Sequence, residues 1–129
     1  MFDFLKTNKK YNYMLETEYK DRNPIVKYDI QCDKGWIPLL VSLFNIIYIL
    51  DEDKDIRINQ IKEKFGSIRI YYSGLCSIKH KKIIEVIDAF SCIINNTCEI
   101  CGNHGKLRQS PDICIKTLCN DCAKDYYNE

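Results

Sequence analysis

The residues best equipped for chemistry are four cysteines in two Cys-x-x-Cys pairs, Cys98-Glu99-Ile100-Cys101 and Cys119-Asn120-Asp121-Cys122. The pairs are separated by 17 residues, within the spacing of about 15 to 20 at which two such knuckles close on one tetrahedral zinc ion. Two thiolates three positions apart reach the same metal from one tight turn, and Gly102 gives the backbone freedom to bend around the sulfurs. The expectation is one structural zinc per chain, held by Cys98, Cys101, Cys119 and Cys122. Four sulfur ligands leave no position for water or substrate, so such a site holds structure and catalyses nothing. Four free thiols, an iron–sulfur cluster or a redox pair fit the spacing less well. His104 and Cys114 lie near enough to replace a ligand, but either would break the two-knuckle symmetry.

Other chemistries lack their marks. A zinc deaminase needs a His-x-Glu element, which follows neither His80 nor His104. Leu118-Cys119-x-x-Cys122 is superficially similar to the zinc frame of HNH endonucleases. Ala123, however, stands where those enzymes carry histidine, and the intervening segment is short and lacks a His-His or Asp-His pair. No nucleophile elbow, phosphate loop or dinucleotide fingerprint is present. His80, flanked by Lys79, Lys81 and Lys82, reads as a solvated helix residue rather than a base. No catalytic residue is assigned, and the chain is expected not to be an enzyme. Cys32, Cys76, Cys92 and Cys114 follow no pattern and read as core or half-buried free thiols.

The elements that must position the cysteines follow from periodicity. Tyr11, Tyr13, Met14, Leu15 and Tyr19 have spacings compatible with a short helix, stopped at Asn23-Pro24. Residues 25–30 form a strand-like run, and Asp33-Lys34-Gly35 turns the chain into Trp36. From Trp36 to Leu50 a helix apolar on nearly every side is expected, central to the core or covered by a partner, with Pro38 in its first turn. Alternation of Ile56 and Ile58, then of Ile68, Ile70 and Tyr72, predicts two strands joined as a hairpin past Phe65-Gly66. Ile83, Ile84, Ile87, Phe90, Ile93 and Ile94 recur at helical spacing over residues 77–95, with Ser77 as N-cap. These elements make an α+β fold: helices packed on a small antiparallel hairpin or sheet, with a C-terminal zinc-ribbon-like module. The division expected is an N-terminal helical segment over residues 1–24, an α+β core over 25–96, and a four-cysteine zinc-binding module over 97–129.

At 129 residues, 46% apolar and 29% charged, the chain suits one folded core. The longest apolar run, from Ile37 to Leu50, is 14 residues and is interrupted by Pro38, Ser42 and Asn45; a membrane span needs about 20. The first residues lack the features of a secretory signal. A cytoplasmic location, with no membrane, is the expectation.

Net charge is only +1, yet residues 54–82 carry eight Lys or Arg (54, 57, 62, 64, 69, 79, 81, 82) against two acids, Asp55 and Glu63. Residues 98–129 carry four basic and five acidic side chains, so the cysteine module offers phosphate little. Two readings of the basic region stand. Either its charges are solvated faces of strand and helix, with Lys81 and Glu85 as a helical pair, or Arg57, Lys62, Lys64 and Arg69 form a contact patch for nucleic acid or an acidic protein, with Phe65 beside them and Tyr71 available for stacking. On the first reading Phe65 plugs the core, and Gln60 and Arg69 pair across the strands.

Gly35-Trp36, the block Gln60-Ile61-Lys62-Glu63-Lys64-Phe65-Gly66 with Arg69 and Tyr71-Tyr72, and Thr97-Cys98-Glu99 through Cys101-Gly102, Gly105, Arg108 and Thr117-Leu118-Cys119 resemble a group of small uncharacterised phage and prophage proteins. The likeness covers about residues 33 to 123, with Ser67-Ile68 and Ala123 as departures. The resemblance implies a viral or mobile-element origin, with the cytoplasm of the host cell as the location if viral, and an accessory protein that binds and occludes a macromolecular partner, with host defence components among the candidates. A protein partner is the first expectation. A nucleic-acid-binding accessory protein using the basic hairpin is the alternative, and small-ligand sequestration ranks below both.

Overall fold

Periodicity of two between Ile56 and Tyr72 and of 3.6 between Ile83 and Ile94 yield the strands and the helix that they specify. The computed structural model describes residues 9–15, 17–20, 23–26, 30–111 and 114–127, and among these the fold is α+β, with three α-helices and three small sheets. The central sheet is built on the hairpin of β4 (Arg57–Lys64) and β5 (Ser67–Ser73), in antiparallel register with Ile61 opposite Ile70 and Lys62 opposite Arg69. A bulge falls between Ile58 and Gln60. Phe65 and Gly66 form the two-residue turn, with φ values of 54° and 80°, the positive pair that a type I′ hairpin requires. A further short strand, β3 (Ile30–Gln31), joins β4 in parallel, with Ile30 opposite Ile61. The sheet is therefore mixed rather than purely antiparallel, because a helix between β3 and β4 returns the chain to the same end of the sheet.

That helix, α1 (Ile37–Leu50), follows a single 3₁₀ turn at Lys34–Trp36 and has proline in its first turn. Leu40, Leu43, Phe44 and Ile47 form its buried stripe at helical spacing. Its polar interruption has a partner: the Tyr11 hydroxyl donates to Asn45 Oδ1. Tyr48 and Ile49 stand exposed near its end. The second helix, α2 (Lys81–Ile94), buries Ile83, Ile87 and Ile94 and packs on α1 and β5. Together with Ile30, Ile58, Ile61, Ile68 and Trp36 these residues make one apolar core.

Three local expectations change. Of the N-terminal helix, a single 3₁₀ turn at Lys9–Tyr11 is described, while β1 (Thr17–Lys20) and β2 (Asn23–Val26) form an antiparallel hairpin with Tyr19 opposite Pro24. Aromatic and β-branched residues spaced loosely enough for a helix fit an extended chain as well, and the rest of that segment lies outside the described residues. Second, the turn that leads into α2 is closed by Cys76 rather than by a Ser77 cap. Lys79 N–H donates to Cys76 Sγ at 3.3 Å and Cys76 N–H donates to His80 Nδ1 at 2.9 Å, a reciprocal arrangement that resembles a capping box. Third, Cys76 and Cys92 are exposed, while Cys32 and Cys114 are half-buried.

Beyond α2 come a tight turn at Cys98–Cys101, an antiparallel pair β6 (Lys106–Gln109) and β7 (Ile115–Leu118), and helix α3 (Asn120–Tyr127). Cys98, Leu118 and Ala123 form a second, smaller apolar cluster. No helix among the described residues is long and apolar enough to cross a membrane.

Candidate metal centre and basic hairpin face

Both Cys-x-x-Cys pairs sit where the backbone bends sharply. The first occupies the turn after α2, closed by Gly102 N–H donating to the Cys98 carbonyl at 3.1 Å, with Gly102 at φ 85°. The second opens α3, where Cys122 N–H donates to Cys119 Sγ at 3.4 Å. β6 and β7 bring the two turns together, so that the four sulfurs all lie within 4.8 Å of one another, and Cys101 Sγ is 3.6 Å from Cys119 Sγ. A tetrahedral ion with metal–sulfur bonds of about 2.3 Å has sulfur–sulfur edges of roughly 3.8 Å. Only small shifts separate the cluster from that geometry, and it could hold a metal ion.

The electrostatics agree. Burial acts to raise the Cys98 thiol, but backbone N–H groups of Cys101, Cys119 and Ile100 outweigh it and hold that thiol at about 7. Cys122 is pushed far up by burial and by sharing hydrogen bonds with the other three sulfurs. The fold thus favours one thiolate, at Cys98, and holds the Cys101 and Cys122 thiols up, so all four sulfurs would carry full thiolate charge only with a cation among them. His104 and Cys114 stay outside the cluster: His104 is exposed and bridges to Thr97, and Cys114 Sγ contacts the Tyr126 hydroxyl at 3.2 Å.

Polar contacts fasten the cysteine turn to the core. Trp36 Nε1 donates to the Thr97 carbonyl at 2.8 Å, and Gly35 N–H donates to the Glu99 carbonyl at 2.8 Å. Glu99, fully buried between two of the cysteines, accepts Thr117 N–H on Oε2 at 2.6 Å and pairs with Lys116 Nζ on Oε1 at 3.4 Å. Thr117 Oγ1 in turn donates to the Gly66 carbonyl at 2.6 Å, and Glu63 Oε2 accepts Gly66 N–H at 2.7 Å. The hairpin turn is therefore clamped onto β7. Sequence reasoning placed Gly35-Trp36 in a shared block without seeing that it docks the cysteine turn, and gave Glu99 and Thr117 no role.

A second cluster, Asp51, Asp55 and His80, also places its ligand atoms within 4.8 Å, but its chemistry is structural. His80 is buried, not solvated as its lysine neighbours implied. Its Nδ1 takes the Cys76 N–H and its Nε2 lies 2.8 Å from Asp55 Oδ2, so neither ring nitrogen has a lone pair free for a metal. The two Asp51 oxygens accept Asp55 N–H and Ile56 N–H. Lys79, hydrogen-bonded to Asp55 at 2.9 Å, and then His80 hold the Asp55 carboxyl below its usual range.

The strand register puts Lys62, Lys64, Arg69 and Tyr71 on the face of the hairpin opposite Ile61, Ile68 and Ile70. Lys62 and Arg69 stand directly across from each other, with Gln60 opposite Tyr71, so the Gln60–Arg69 pairing does not form. The ion pairs among the described residues involve none of Lys62, Lys64 and Arg69; Glu63 is turned to Gly66 and Lys116. Arg57 is separate, its guanidinium donating to the carbonyls of Lys54 and Ile56 at 2.9 Å. Phe65 does not plug the core. It is 63% exposed at the hairpin tip, and the side chain of Leu107 packs where a Cβ on Gly66 would lie.

No family model matches the chain, and no curated protein or solved structure matches it.

Proposed function

We propose that this protein is a non-enzymatic binding protein in which one structural zinc, held by Cys98, Cys101, Cys119 and Cys122 in a ribbon-like module, stiffens the hairpin that meets a polyanionic partner. The observation that carries the reading is Lys62 facing Arg69 across the strands. Like charges directly opposite each other destabilise a sheet. With Lys64 alongside and, among the described residues, no carboxylate paired to any of the three, the face costs folding energy that an anionic partner would recover. Thiolate donors and a closed four-sulfur set favour zinc over harder cations. Occlusion of the partner's surface is the mode we assign, in keeping with the phage-type accessory role that the resemblance implies.

The test uses heparin as a polyanion. The wild-type chain should be retained on a heparin column, and K62E/K64E/R69E should elute near the void with an unchanged circular dichroism spectrum, since these side chains face solvent. R57E, with its guanidinium already committed to carbonyls, should change retention less than any of the three. Equal retention of the triple variant would remove the face from the proposal. Elemental analysis should give one zinc per chain.

A further inference from the structure

The basic face carries two repeats of one device. Lys62 Nζ lies 5.8 Å from the centroid of the Tyr71 ring, and Lys64 Nζ lies 5.8 Å from that of the Phe65 ring. Both rings are exposed, Tyr71 at 46% and Phe65 at 63%. Each pair joins a cation to a π-face at the protein surface, and Arg69 lies between them on the neighbouring strand. Lys62 and Lys64 are two residues apart on one strand, about 7 Å, and lie on one face of the hairpin.

Resting on the reading of this face as a contact surface, we infer that its ligand is single-stranded nucleic acid, with bases stacking on Tyr71 and Phe65 and phosphates meeting Lys62, Lys64 and Arg69. An acidic protein would satisfy the three cations but would leave two exposed rings, each already bracketed by a lysine, without a matching chemistry. A flat base satisfies both halves of each pair, because every base has a π-face and carries a phosphate within reach of the adjoining cation. A duplex satisfies only the charges, its bases being already stacked on one another. Phe65 adds an independent sign. A bulky residue at φ 54° in a turn that prefers Asn or Gly is strained, and such strain persists where the side chain has another use.

The experiment is fluorescence anisotropy on the full zinc-loaded chain at low salt, with labelled oligo-dT and oligo-rU of about 12 nucleotides and a duplex of the same length. The single strands should bind more tightly than the duplex. Three neutralised phosphates predict a log–log salt slope of about −2. Tyr71→Ala and Phe65→Ala should each weaken single-strand binding by about 5- to 150-fold, the usual worth of one stacked base, while Tyr71→Phe should bind as the wild type does. Duplex binding as tight as single-strand binding, or alanine variants that bind unchanged, would overturn the inference. So would heparin retention that depends on Lys62, Lys64 and Arg69 without binding of either oligonucleotide; the contact face would then stand, with an acidic protein as its partner. Retention that survives the triple reversal would instead remove the face itself.

Discussion

Trp36 donates its indole N–H to the carbonyl of Thr97 at 2.8 Å, across 61 residues of sequence and one position before the first cysteine of the cluster. Both residues are buried, so the bond has no water to replace it when the cysteine turn moves. The four-sulfur cluster and the apolar core are thereby joined at one side chain, the only tryptophan of the chain.

Chelation of the metal should therefore be visible from the core. Removing zinc should shift Trp36 emission to the red as the Thr97 carbonyl moves away, and Cys98→Ser or Cys119→Ser should lose the metal and reproduce that shift, because metal binding at such a site is folding energy. Far-UV circular dichroism should fall only in part, since α1 and α2 share a core that contains none of the four cysteines. Trp36 emission indifferent to chelation would contradict the coupling, and iron in place of zinc would contradict the proposed metal.

Gly35 is the point of closest approach. A Cβ there would lie inside van der Waals contact of the Cys98 carbonyl oxygen and 2.6 Å from the Glu99 carbonyl carbon, backbone atoms that cannot swing aside. Gly35→Ala should cost about 1–3 kcal/mol or more and lower metal affinity, measured by urea unfolding and by competition with a chelator. A variant as stable as the wild type would mean that the cysteine turn does not sit on Gly35.

At the hairpin tip stability and binding should move in opposite directions. Phe65→Asn puts a residue suited to positive φ into the type I′ turn and should stabilise the fold by about 1 kcal/mol. That is a rise in Tm of roughly 4 °C for a domain of this size, read by differential scanning calorimetry, and it should come with weaker single-strand binding. A fall in Tm would show that the Phe65 ring supports the turn.

Acid should act on the fold through Asp55. With its folded pKa held below the ordinary value by Lys79 and then His80, the carboxylate contributes stability above about pH 3.9, and this is lost as pH falls through the lower folded value. Asp55→Asn should be less stable than the wild type at neutral pH, with the difference shrinking in acid below about pH 4. Urea midpoints measured along that pH series check the sign; a constant difference would place the role of Asp55 elsewhere.

Local rules were enough for several features. Alternating isoleucines with Gly66 between them specify the β4–β5 hairpin, an apolar run opened by Pro38 specifies α1, helical spacing specifies α2, and two Cys-x-x-Cys pairs 17 residues apart specify one four-sulfur cluster. In each, the determining residues are close in sequence or repeat a single period. The alternation even assigns Lys62, Lys64, Arg69 and Tyr71 to a common face, because side chains in a strand alternate with period two.

Tertiary structure decided what lies between those features. That Lys62 faces Arg69 depends on the two residues of the turn at Phe65 and Gly66, which set the register; the bulge between Ile58 and Gln60 shifts it only farther along the hairpin. His80 reads as solvated among its lysines, and only the packing of the β4 approach against α2 buries it on Asp55. The contacts from Trp36 to Thr97 and from Thr117 to Gly66 span 61 and 51 residues. No periodicity connects such positions, and they meet because the apolar stripes of the elements between them have been buried against one another. The sequence alone determined the cluster of ligands and the charge of the hairpin; the packed core determined that the two are clamped together.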